Sequence, residues 1–580
     1  MIGSLFLLSS VMMTQSLTED LGSYERLALD KALENRELSI DPSPEEKRIG
    51  VIHVVNLPVF SEEQDGFLTL GNAFHVTTKE FIIRREVLVQ PGMLWDEAKV
   101  FETKRNLRDP TFTTLVVAVP VKNQDPALVD LLVVTRDIWS LRLSTRFEFQ
   151  QGTFTEFLLS VAENNLFGRR KRVAVTFDLD QGSFSIGPEY QDLNIAGSRL
   201  TLIHSSGLIF SRMDTELEGS FSSTRFGLPL FALDRKWGFD LLVAHSDRVV
   251  RSFVGTELRT YDNPDTPEEE MIPRVFRDRQ VTAEATGIRS LPGLYTHRFR
   301  WGYRIVWDRP ETILPPDTSP ENSEAFTRDV LGRVETRTGP FIRYDLFKRE
   351  FRIYRNINTF DFPEDVQLGP EVRLTAAFNP QALGSDFDSI NLFASVGWTV
   401  GLGSDSYMQI SSSATSRLQD ADFIDILYAA DFFLATPAAF RFARLVLNAD
   451  LDWLEDETLN RFLVLGGDNG LRGFEIGAFT GDRRVVLNAE IRTLPVKLWF
   501  LRLGGVVFYD SGHAWDVNLG ITPDAIRETS PRFRHDFGAG IRFVIPQTGT
   551  GAWRIDWAFA NEGTAASFPG RISAGFLQYF

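Results

Sequence analysis

The sequence predicts a membrane all-β fold: a C-terminal transmembrane antiparallel β-barrel of about 16 strands, preceded by one small β-α-α-β-β domain. Three observations predict it. The stretch His297–Asp308, HRFRWGYRIVWD, puts Phe299, Trp301, Tyr303, Ile305 and Trp307 on one face and Arg298, Arg300, Gly302, Arg304 and Asp308 on the other. That period of two marks a strand, and its faces suit lipid on one side and a hydrated lumen on the other. Second, the chain is 43% hydrophobic and 12% aromatic, yet it holds no run of about 18 uncharged apolar residues of the kind a spanning helix needs. Third, the 440 residues from Leu141 to Phe580 repeat one texture, alternating stretches separated by polar, Gly/Pro-rich connectors.

A sheet in hydrocarbon cannot leave an edge open, since each unpaired backbone group there costs several kcal/mol, so the strands must close on themselves. At roughly 27 residues per strand and connector, this length allows about sixteen strands. Val485–Thr493 sets Asn488, Glu490 and Arg492 against Leu487, Ala489 and Ile491, and Trp553–Ala560 sets Arg554 and Asp556 against Trp553, Ile555, Trp557 and Phe559. Long charged connectors at 261–280 and 308–328 point to one loop-rich end.

Ahead of the barrel the chain divides into three. Residues 1–17, with the apolar run Ile2–Met13, read as a signal peptide. Residues 18–47 combine an amphipathic helix over 18–38, carrying Leu27, Leu29, Leu33 and Leu38, with the linker IDPSPEEK at 40–47. In 48–139, Val51–Val55 reads as a strand, Thr78–Leu88 and Trp95–Leu107 as helices, and Leu115–Val119 and Val129–Val134 as two further strands.

Composition excludes several functions. The net charge of −17 argues against a nucleic-acid partner. The absence of Cys removes thiolate chemistry. The seven His form no H-E-x-x-H pair, and neither a G-x-S-x-G elbow nor a phosphate-binding loop occurs. Asp510, Ser511 and His513 are no triad, because Asp510 points to the opposite face of its strand from the other two. Glu268–Glu270 reads as a solvated acidic run and Gly549–Gly551 as a turn. The chain is therefore expected to be no enzyme, and to hold no metal and no cofactor.

Three motifs go further. Glu163–Lys171, ENNLFGRRK, resembles the turn between early barrel strands of the BamA-like outer-membrane protein assembly and bacterial surface antigen superfamily, with Arg170 where that pattern has its second Gly. Leu465–Glu475, LGGDNGLRGFE, resembles the same family's loop with a V-R-G-F tip, here Leu471, Arg472, Gly473 and Phe474. Phe508–Gly512, FYDSG, matches its F-x-D-x-G strand motif, with room for about three more strands after it. The β-α-α-β-β order, the turn at Pro91–Asp96 and VDLLVVTRDIW at 129–139 resemble a POTRA domain, the family's periplasmic module. On one strand Phe508, Asp510 and Gly512 share a face. Arg472, on a Gly-rich loop folding inward over 466–483, is placed to pair with Asp510 and stack on Phe508, with Gly512 leaving room.

The resemblance implies that this contact locks the loop in the lumen. The chain ends on an aromatic strand with Ile572, Ala574, Phe576 and Phe580 on one face, and Phe576 and Phe580 resemble the C-terminal barrel signal of outer-membrane proteins. Membership implies residence in the bacterial outer membrane with the N-terminal domain in the periplasm. The implied partners are the lipid bilayer, unfolded outer-membrane or secreted client proteins, and periplasmic chaperones or accessory lipoproteins. The implied work is inserting or translocating clients through POTRA β-augmentation and a lateral seam between Leu141–Phe149 and Phe568–Phe580. Two rival readings are a two-partner-secretion-type export pore, with the 18–38 helix as a lumenal plug, and a surface-antigen barrel with no assembly role.

Overall fold

A computed structural model describes residues 21–60, 72, 75–150, 153–254, 256–266, 270–439, 442–516, 532–547, 551–562, 570–576 and 578–580. The signal-peptide reading and Glu268–Glu269 fall outside them, as do most of the 549–551 turn and Phe568. The chain forms two compact units, the first comprising the described residues up to 142 with the segments 163–172 and 545–547.

The first unit is built on a three-stranded sheet. In chain order it runs α1 (Ser23–Asn35), β1 (Arg48–Leu57), α2 (Glu80–Glu86), α3 (Glu97–Leu107), β2 (Thr113–Lys122) and β3 (Leu128–Asp137). The sheet order is β1-β3-β2, with β1 parallel and β2 antiparallel to β3. Strands β2 and β3 carry the unbroken apolar runs Leu115–Val119 and Leu131–Val134 because both faces are covered there, which removes the polar alternation of a half-exposed sheet. Val116, Ala118, Leu131 and Val133 pack with Ile83, Val100 and Leu107 of the two later helices. Leu115, Val117, Val119, Leu132 and Val134 pack instead with Ala28, Leu29 and Ala32 of α1. The apolar side of the described part of the 18–38 segment is thus taken up by this sheet. Asp96 caps α3 by accepting the Lys99 N–H at 3.1 Å.

Within the same unit the turn 163–172 is held by Asn165, whose amide donates to Val76 O (2.9 Å) and Thr78 Oγ1 (3.0 Å) and whose Oδ1 accepts the Arg170 N–H (2.8 Å). Arg170 stands in the left-handed region (φ 53°), which explains why glycine suits that position.

The second unit is a closed antiparallel barrel of 20 strands, from Leu141–Gln150 to Arg571–Phe576. The expected sixteen is corrected. Several connectors are far shorter than the average assumed: Tyr407–Gln419 and Asp422–Ala435 are joined by Asp420 and Ala421 alone, both left-handed (φ 53° and 72°) as a two-residue hairpin requires. The faces fall as the alternation predicts. Trp301, Tyr303, Ile305 and Trp307 are exposed on the outside. Inside, Arg300 meets Asp345 at 2.6 Å, Arg304 meets Glu284 at 2.6 Å and Arg337 meets Asp308 at 2.7 Å, a ladder of ion pairs between strands.

The long described connectors follow the strands Trp237–Arg251, Tyr295–Asp308 and Ala443–Glu455, each an even number of strands from the next in the antiparallel order, and so share one end. There Phe326, on the helix Pro320–Asp329, is buried among Tyr261, Ile272, Ala325, Val330 and Leu331. Asn460, from a third connector, donates to Leu331 O at 2.6 Å. Glu270, the described member of the acidic run, accepts from the Asn322 amide.

One group in the first unit makes its stability pH-dependent. Burial pushes the Asp130 carboxyl up, but the Val51 N–H, the Asn123 amide and His53 together hold it below the usual carboxylate range. Gly50 makes this possible, since a Cβ there would lie 2.5 Å from Asp130 Oδ1. A carboxyl depressed in the folded state stabilises it above the unfolded value, and that contribution is lost as pH falls through the folded value. Protection factors of β3 amides in the full chain, taken relative to intrinsic exchange at each pH, should therefore fall below about pH 4. In Asp130→Asn, protection should be lower at neutral pH and should change less on acidification.

Candidate functional site

The connector 456–482 leaves the strand Ala443–Glu455, forms a short ribbon of Leu463–Leu465 with Phe479–Gly481, and returns to the strand Arg483–Thr493. Between the ribbon strands it takes turns open only to residues that tolerate positive φ: Gly466 (119°), Gly467 (64°), Gly470 (110°) and Gly477 (64°). Gly473 serves a different need. A Cβ there would lie 2.7 Å from Asp536 Cβ and 2.9 Å from Ala560 N, so the loop backbone lies directly on the inner wall. Leu471 and Phe474 are then buried with Leu465, Val486, Ala514 and Ala560.

Arg472, at the tip, is fully buried. Its Nε and one terminal nitrogen donate to the two oxygens of Asp510 at 2.7 and 2.8 Å, a bidentate pair. The other terminal nitrogen donates to Glu490 Oε1 at 2.5 Å, and its backbone oxygen accepts from Arg571 at 2.6 Å. The guanidinium lies 3.5 Å from the Phe508 ring centroid, with its second face 4.0 Å from the Tyr579 ring. Around it the charges alternate: Arg542 on Asp556 (2.6 Å), Arg554 on Asp556 (3.2 Å) and on Asp468 (3.0 Å), and Arg492 on Glu490 (2.6 Å). Asn488 bridges Asp510 Oδ1 (2.8 Å) and Gly470 O (2.9 Å). Among the described residues no group of three or more His, Asp or Glu is arranged to hold a metal.

The structure brings Arg472, Gly473, Phe474, Phe508 and Asp510 together at this point. A Cβ on Gly512 would lie 3.3 Å from the Leu465 side chain, so this glycine admits the loop's ribbon. Phe576 and Ile572 face outward, and Ala574 is largely covered. Phe580 does not continue the face that carries Ile572 and Phe576. The last strand stops at Phe576, and Phe580 lies beyond it with its ring 5.0 Å from the Arg492 guanidinium and its backbone oxygen accepting from Arg492 at 3.0 Å. Alternation ceases to apply where the strand ends.

Sequence reasoning placed Glu490, Arg492, Arg554 and Asp556 on lumenal faces but did not join them to Arg472, and it did not include Arg542 or Tyr579. The face assignments were the available signal; the convergence of separate strands was not. Arg472→Ala leaves Asp510 buried without its arginine and takes from Glu490 one of the arginines that meet it, Arg492 remaining. It should lower stability to urea in detergent by about 3–5 kcal/mol while the barrel still inserts. Arg472→Lys should recover only part of the loss, lacking the planar fork.

Residues 369–569, which contain both the loop tip and the Phe508–Gly512 motif, match the model of the Omp85 superfamily domain. No curated protein matches the chain. Among solved structures it is similar to BamA from Haemophilus ducreyi lacking POTRA domains 1–3, at 11% identity over 93% of this chain and 88% of that one, with a TM-score of 0.35. It is also similar to CdiB from Acinetobacter baumannii (11% identity, 93% and 77% covered, TM-score 0.43) and to CdiB from Escherichia coli (11%, 96% and 85%, 0.43). The domain match falls on two of the three motifs that suggested the family, and residues 369–569, part of a closed antiparallel β-barrel, are similar to the Omp85 superfamily domain.

Proposed function

We propose that this protein inserts or translocates client proteins at the outer membrane without covalent catalysis. The observation that carries the reading is the seam. Among the described residues the first and last strands are in register only at Phe147–Ala574 and Glu148–Ser573, whereas Trp553–Ala560 and Arg571–Phe576 stay paired from Trp553–Phe576 to Ala558–Arg571. A strand junction with so few ladder hydrogen bonds costs little to part. Parting it presents unpaired backbone to a client strand at membrane depth.

The β-α-α-β-β unit acts in this reading as a periplasmic POTRA domain that receives extended clients by β-augmentation. Its β2 edge is buried, but β1 is open enough that Val51 is half exposed. The β1 carbonyls of Ile52 and Val54 accept from the side chains of Arg84 (3.0 Å) and Arg36 (3.3 Å). Arginines protect an edge and can also be displaced by an incoming strand. The remaining partners are the bilayer itself and periplasmic chaperones or accessory lipoproteins that deliver clients.

The chain lacks cysteine, so Phe147→Cys with Ala574→Cys gives one clean crosslink across the seam. In cells relying on this variant, oxidation should deplete other outer-membrane proteins and reduction should restore them. Unchanged levels on oxidation would exclude the lateral seam, and selective loss of one secreted protein would favour an export pore.

A further inference from the structure

The residues after the last strand are not spent on the lipid face. Gln578 Oε1 accepts from Arg542 Nε at 3.1 Å, and the Tyr579 hydroxyl donates to Gly467 O at 3.1 Å while accepting the Gly470 N–H at 3.0 Å. The Tyr579 ring covers the face of Arg472 that Phe508 leaves bare. One strand element is thus tied strongly to the lumenal loop and weakly, at Phe147–Ala574 and Glu148–Ser573, to its neighbour in the wall.

We propose that Tyr579 is a positioning residue that couples the lumenal loop to the seam, so that the end of the last strand is held from inside the barrel and loop and seam release together. The physical reason lies in what Tyr579 supplies to each side. To the loop it gives the second aromatic face for a buried cation and a hydroxyl that closes the Gly467–Gly470 turn, whose backbone groups would otherwise be unpaired in a buried setting. To the last strand it gives an anchor three residues past Phe576, where the ladder has ended. Moving the strand end outward withdraws the ring, bares one face of Arg472 and unpairs the turn. Loosening the loop, by the same linkage, frees the strand end.

The inference concerns the folded protein alone and stands apart from the reading of client handling. Its test uses purified full-length protein in lipid nanodiscs, with heat-modifiable gel migration confirming a closed barrel. Seam closure is read as the disulfide yield of Phe147→Cys/Ala574→Cys under limiting oxidant. Loop order is read, in a separate variant, from a spin label on Asn469→Cys, an exposed position of the loop. In Tyr579→Ala the disulfide yield should fall about tenfold and the label should gain a mobile population, from the loss of a stacking face and two hydrogen bonds. Tyr579→Phe keeps the ring and should shift both readouts by a smaller factor; it also serves if the alanine variant fails to fold.

Coupling adds an outcome that a merely structural tyrosine would not give. Gly473→Ala, which forces the loop off the wall, should lower the seam yield when Tyr579 is present and leave it unchanged in the Tyr579→Ala background. The proposal is overturned if Tyr579→Ala moves only one readout or neither. It is also overturned if Tyr579→Phe moves neither, or if Gly473→Ala lowers the yield equally in both backgrounds.

Discussion

A guanidinium buried inside a barrel is tolerable only where its charge and its donors are met at once, because taking such a group out of water costs several kcal/mol. Arg472 meets that demand with the carboxylates of Asp510 and Glu490 and with aromatic rings on both faces. Much of the surrounding architecture follows from it. The loop must bring a tip residue back to the inner wall, hence its left-handed glycines and a Gly473 with no space for a side chain. The strands carrying Asn488 and Glu490, Phe508 and Asp510, and Asp556 must present those groups to one point, and Glu490 and Asp556 are met by the further arginines Arg492, Arg542 and Arg554. The barrel and its loop are therefore specified together.

That dependence also explains what the sequence revealed. Alternation made the outward row from Phe299 to Trp307 and the inward arginines legible, because burial in lipid and hydration of the lumen act on each strand locally. The Arg472–Asp510 pair was legible because both residues sit in short motifs with distinctive neighbours. Glu490 and Asp556 were visible as lumenal, yet nothing local to their strands tells which loop they meet. The strand number was underestimated where tight turns such as Asp420–Ala421 replace the longer connectors assumed. Phe580 was misplaced because alternation was carried past Phe576, where cross-strand pairing has stopped constraining the backbone. Residues 18–38 were recognisable as an amphipathic helix, but its packing partner, the face of the β2–β3 sheet bearing Leu115 and Leu132, was not.

In the N-terminal unit the same logic applies to a sheet covered by helices. Two apolar faces require two layers of helix, which is why β2 and β3 lose their alternation while β1 keeps a partly open edge. The Asp130 cluster beside Gly50 fixes the irregularity in the β1–β3 register between Ile49 and Ile52. The unit thus offers a sheet with one edge guarded by removable side chains, and the barrel offers a wall whose first and last strands are in register, among the described residues, at two residue pairs. Both features place unmade backbone pairing where an extended chain could complete it, which is the physical basis of the proposed work on clients.

The central claim is that the Arg472 contact is a cooperative constraint and not one ion pair among many. A double-mutant cycle of Arg472→Ala and Asp510→Ala, followed by urea unfolding in detergent, measures this directly. The account predicts a coupling of about 3 kcal/mol or more, since removing both partners together avoids the unpaired buried charge that each single change leaves. Additivity within about 0.5 kcal/mol would contradict it.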